Sequence, residues 1–62
     1  MSNSSYNAKE LDCLKMYLAE PVVFQLTEPE VRACTVVLMH TELELEIPAD
    51  HAQIADRLLG AE

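Results

Sequence analysis

Apolar residues along this chain recur at helical spacing in three runs, and a similar short signal precedes each run. In the first run Leu11, Leu14 and Leu18 share one stripe flanked by Cys13 and Tyr17, while Met16 falls on the opposite side near Lys9 and Asp12. Ahead of it stands Asn7 as a candidate N-cap, with Glu10 three residues on and Tyr6 and Leu11 placed as a hydrophobic staple. Thr27, Glu30, Leu26 and Val31 repeat the arrangement before the second run, and Asp50, Gln53, Ala49 and Ile54 before the third. A capping side chain accepts from an orphan N–H, and the residue three positions later returns a bond to the cap. Three copies in register with apolar runs therefore predict three helix starts.

The stops are also legible. Pro21 disfavours helical geometry at Glu20, Pro48 closes the second run, and Gly60 closes the third as a C-terminal cap. The pattern predicts helices over 7–19, 28–46 and 50–59. The second is apolar on two stripes: Val31, Cys34 and Leu38 form one, and Val36, Met39, Leu43 and Ile47 the other. A helix of this kind must be covered on more than one side, by the other two helices or by a partner. The third offers Ile54, Ala55, Leu58 and Leu59 as its buried edge.

Two short segments leave the fold class open at one point. Val22 to Leu26 is rich in Val and Phe and predicts an extended stretch, while Leu43 to Ile47 alternates with period two as a half-buried strand would. The leading expectation is a mainly α fold, a compact three-helix domain with a short extended segment over 22–26. The alternative is an α+β fold with a two-stranded sheet from 22–26 and 43–47. Residues 1–6 are expected to form a flexible tail, and 7–62 a single domain.

Composition narrows the function classes. The 62 residues are half hydrophobic, enough for one small core and too rich for a disordered chain. Eleven acids against four bases give a formal charge of −7. That balance works against phosphate backbones and anionic membranes and favours basic partners, although it also serves solubility. Between Arg32 and Arg57 there is no Lys or Arg, yet Glu42, Glu44, Glu46, Asp50 and Asp56 all fall there. On a helix the three glutamates would crowd the negative end of the dipole, with Glu42 and Glu46 as a like-charge pair one turn apart. On a strand they would stand in a row roughly 6.6–6.8 Å apart. Either arrangement costs stability, and such departures tend to mark functional surface.

Other chemistry is poorly supported. Cys13, Cys34, His40 and His51 have no metal-site spacing, so no metal and no cofactor are expected. Cys34 and His40 fall on different helix faces and make no nucleophile–base pair, so the sequence points away from an enzyme. The N-terminal residues have neither the basic nor the apolar region of a signal peptide, and no apolar run reaches the roughly 18 residues that span a bilayer. A cytoplasmic chain with reduced thiols is expected, Cys34 facing the core.

A short chain bearing Glu42, Glu44, Glu46 and Asp50, without catalytic residues, resembles in character the small acidic inhibitors encoded by bacteriophages, of the type I anti-CRISPR kind. The resemblance implies a non-enzymatic protein acting in the bacterial host cell. Its four carboxylates would be the partner-binding residues, occupying a basic groove of a nucleic-acid-binding complex, such as a CRISPR effector, in place of the phosphate backbone. It implies neither direct nucleic-acid binding nor membrane binding, and a monomer rather than a dimer. The other reading is a small structural or regulatory module that dimerises or docks through helix 28–46, with Val36, Met39, Leu43 and Met16 as its interface.

Overall fold

A computed structural model describes residues 6–60, which form three helices: α1 (Ala8–Ala19), α2 (Glu28–Leu43) and α3 (Ala49–Gly60). Among the described residues there is no strand, so the mainly α reading holds and the two-stranded alternative falls. Residues 1–5 of the expected tail, and Ala61 and Glu62 of the expected domain, lie outside the described residues. Tyr6, the sixth residue of that tail, instead belongs to the fold. It packs against the core, and its hydroxyl donates to Asp56 Oδ1 at 2.9 Å.

The first two helix starts are built as their sequences indicate. Glu10 N–H donates to Asn7 Oδ1 at 2.8 Å, and Asn7 N–H donates back to Glu10 Oε1 at 3.0 Å, a complete capping box. At α2 the stronger arm is the return one, Thr27 N–H to Glu30 Oε1 at 2.7 Å; the Thr27 hydroxyl meets the Glu30 N–H with looser geometry. The third start differs from expectation. Asp50 is not the cap, because α3 begins at Ala49 and the Pro48 carbonyl accepts from Ala52 N–H at 2.9 Å. Asp50 sits in the first turn, where its charge still suits the positive end of the helix.

Residues 22–26 are not extended. They wind into a single turn in which Leu26 N–H donates to the Pro21 carbonyl at 2.9 Å and Gln25 N–H to the Val22 carbonyl at 3.1 Å. Gln25 is left-handed there, at φ 56°. The turn is held by Phe24, whose ring meets Tyr17 edge-on at 4.9 Å between centroids. Winding the chain this way puts Leu26 against the core and leaves Val22 87% exposed.

The core is Leu14 and Tyr17 from α1, Cys34 and Val37 from α2, Ile47 from the α2–α3 connection and Ala55 from α3. Tyr17 also reaches across to α3, donating its hydroxyl to the Leu58 carbonyl at 3.3 Å. α2 packs most extensively on α3 and next on α1. Its buried face centres on Ala33, Cys34 and Val37, about a quarter turn from the Val31–Cys34–Leu38 stripe expected. The second expected stripe is split: Met39 and Leu43 face solvent, Val36 is half-buried, and Ile47 lies beyond the helix in the core.

Candidate functional site

Leu and Glu are good helix formers, so nothing in the local propensity of Leu43-Glu-Leu-Glu-Ile47 stops α2. The stop comes from the fold. Ile47 is buried in the core, and to deliver it the chain must turn back after Leu43. It does so at Glu44, whose backbone is left-handed at φ 59°, ψ 40°. Leu45 N–H then donates to the His40 carbonyl at 2.8 Å, and Glu44 N–H to the Thr41 carbonyl at 3.2 Å. This is the double-bonded Schellman closure, with glutamate where glycine is usual. His40 is itself tied down, its Nδ1–H donating to the Val36 carbonyl at 2.8 Å.

The helix therefore ends at Leu43, not at 46, and the segment is not a strand either. Glu42 closes the helix, Glu44 occupies the left-handed position, and Glu46 rides on the connection; all three are exposed. The regular row of a strand and the Glu42–Glu46 pair of a continuous helix are both absent. Asp50 is exposed too but does not join them in one pocket. It lines a cleft of about 230 Å³ between the first turns of α2 and α3, with Glu28, Pro29, Arg32, His51 and Ile54. His51 Nδ1 is buried there without a hydrogen-bond partner.

Two bases distant in sequence are near the acids in space. Arg32 shares the Asp50 cleft, and Lys15 of α1 shares with Glu42 a groove of about 220 Å³ lined also by Leu11, Leu38 and Thr41. Glu44 and Glu46 line neither. All three glutamates are exposed around the end of α2, with Glu44 and Glu46 outside both of these clefts.

Met39 and Leu43 are interface candidates already visible in the sequence; Leu45 joins them only in the fold. Met39 is 52% exposed, Leu43 62% and Leu45 54%, so the carboxylates alternate with large apolar side chains at the same tip. The sequence signal for this surface is the period-two pattern of 43–47, which a strand would also produce.

The chain matches no family model, curated protein or solved structure. Among the described residues no group of His, Cys, Asp and Glu could hold a metal ion, and no helix is long and apolar enough to cross a membrane. The end of α2 presents exposed carboxylates and large exposed apolar side chains around the turn at Glu44.

Glu44 gives a direct measure of how that turn is held. A non-glycine residue in the left-handed region carries about 1 kcal/mol of backbone strain. Glu44→Gly should therefore raise stability by up to about 1 kcal/mol, read as a higher denaturation midpoint at unchanged slope. A loss of stability would show that the glutamate side chain itself holds the turn.

Proposed function

We propose that this chain is a non-enzymatic protein-binding inhibitor of the anti-CRISPR kind, which engages a basic surface of a nucleic-acid-handling complex in the bacterial cytoplasm. Glu42, Glu44 and Glu46 make the contact, and Asp50 adds to the negative field from the neighbouring cleft. The observation that carries this reading is the exposure of all three glutamates at the end of α2 and just after it, where Glu44 and Glu46 line neither the Lys15 groove nor the Arg32 cleft. Such a cluster raises the local concentration of a cationic surface and accelerates encounter with it. Occupied by these carboxylates, a groove that normally takes a phosphate backbone is closed to it. The monomer carries out this role alone.

The test uses affinity capture from bacterial lysate at low and high salt, with wild-type protein and the Glu42→Gln/Glu44→Gln/Glu46→Gln variant side by side. The variant should fold as well as the wild type, because it removes like charges from the negative end of α2. Nucleic-acid-binding proteins retained by wild type at low salt should be lost at high salt, and largely lost from the variant at either salt. Equal recovery on both baits, with both fully helical, would remove the reading.

A further inference from the structure

We propose that the tip of α2, from Met39 to Glu46, docks a cationic amphipathic helix of its partner. Met39, Leu43 and Leu45 would seat the partner helix's apolar stripe, and Glu42, Glu44 and Glu46 would meet the Lys and Arg side chains beside it. The proposal rests on the reading that the carboxylates seek a basic protein surface, and it specifies the shape of that surface.

The geometry concentrates the apolar residues. Met39 and Leu43 are one helical turn apart on the solvent face of α2, a separation of about 6 Å along the axis. Left extended, Leu45 would point away from them. The left-handed backbone at Glu44 and the bond from Leu45 N–H to the His40 carbonyl fold it back over the last turn, where this closure commonly sets an apolar contact with the residues three or four before its end. Three large apolar side chains, each more than half exposed, and three exposed carboxylates thus fall between Met39 and Glu46 at the end of α2. An apolar cluster of this kind on a small domain points to an interaction surface.

Charge selects the occupant. Within a basic surface that normally meets a phosphate backbone, a cationic amphipathic helix is the element that uses both kinds of side chain: its apolar stripe covers Met39, Leu43 and Leu45, and its flanking cations reach the glutamates with their methylene stems lying along the apolar surface. A second copy of this chain fits poorly. A two-fold contact through this stretch would set Glu42, Glu44 and Glu46 against their own copies, in molecules that each carry a formal charge of −7. Val22 and Val23 on the α1–α2 turn are also exposed, lack a run of three alternating glutamates beside them, and make an internal control.

The experiment measures binding of three synthetic peptides of about 18 residues, roughly five helical turns: a Leu/Lys amphipathic helix, oligolysine, and a Leu/Gln helix of the same apolar pattern. The proposal expects the Leu/Lys peptide to bind tightest. Met39→Ser/Leu43→Ser/Leu45→Ser should weaken it about tenfold or more, chiefly through faster dissociation. The triple Gln variant should slow association and flatten its salt dependence, while Val22→Ser/Val23→Ser should change little. All replaced residues are exposed, and helicity verifies that each variant folds. Oligolysine binding as tightly as the Leu/Lys peptide, with the serine variant unimpaired, would overturn the docking proposal and leave the acidic-surface reading standing. Failure of both cationic peptides would remove both readings. Loss of binding in the Val22/Val23 variant instead would move the site. A wild-type dimer in light scattering that Leu43→Ser dissolves would make a second copy the occupant and overturn the proposal.

Discussion

Leu14→Ala should unfold most of the domain at physiological temperature. Leu14 is the largest fully buried side chain, with 0% exposure, in a core it shares with Tyr17, Cys34, Val37, Ile47 and Ala55. Truncating a buried leucine removes its transfer free energy and leaves a cavity that neighbours fill only in part, a cost of about 2–5 kcal/mol. A chain of 62 residues has a total stability of about 3–9 kcal/mol. The loss is therefore comparable with the whole. Thermal melting followed by far-ultraviolet circular dichroism should show a fall of roughly 10–30 °C, or no cooperative transition. Met39→Ala, on the exposed face of α2, should change stability by less than about 0.5 kcal/mol. A Leu14→Ala midpoint within a few degrees of wild type would show that the core is centred elsewhere.

The helices were legible where the physics is local. Asn7 with Glu10, and Thr27 with Glu30, settle their helix starts within four residues, and Pro21 settles the first stop, α1 ending at Ala19. Cys34, Ala55, Leu58 and Leu59 also belong to or pack against the core, as periodicity indicated, whereas Ile54 of the same predicted edge lines the cleft with Asp50 and Arg32. Where distant residues decide, the sequence misled. Val22, Val23 and Phe24 favour an extended chain, but the contact of Phe24 with Tyr17 winds them into a turn. Ala33 is wholly buried at the centre of the α2 face, and a reading that weights large apolar residues overlooks it. The buried face that includes it lies about a quarter turn from the stripe the large residues indicated.

The acidic segment failed for a related reason. Local propensity offers helix or strand for 43–47, and the fold adopts neither, because burial of Ile47 overrides both. Composition alone reveals the carboxylates, but not their grouping. Asp50, only four residues beyond Glu46, lines the cleft with Arg32, while Lys15, far away in sequence, shares a groove with Glu42. Sequence distance thus does not say which bases share a cleft with which acids. Folding leaves Glu44 and Glu46 exposed outside both clefts, and Met39, Leu43 and Leu45 are exposed in the same stretch of chain.

Between pH 9 and 11 the wild-type domain should lose about 2–3 kcal/mol that a Cys34→Ala variant does not lose. Cys34 is fully buried, and burial pushes its thiol from the ordinary 9.0 up to about 11, with the negative charge of Glu30 and then Cys13 adding to the effect. In the unfolded chain the thiol gives up its proton near 9, whereas the folded protein holds it to about 11. Over that interval the folded state binds more protons, so the contribution is intact below pH 9 and is lost as pH rises through 11. A tenfold difference in proton affinity between the folded and unfolded thiol is worth about 1.4 kcal/mol. At pH 7 Cys34→Ala should be the less stable of the two, by about 1 kcal/mol for its lost volume. By about pH 10.5 the gap should close or reverse, read from denaturant midpoints at each pH. The same burial should protect Cys34 from alkylation at neutral pH until denaturant is added. Parallel stability curves for the two proteins across this range would show that Cys34 is solvated in the folded state, and that the α2 face described here is turned the wrong way.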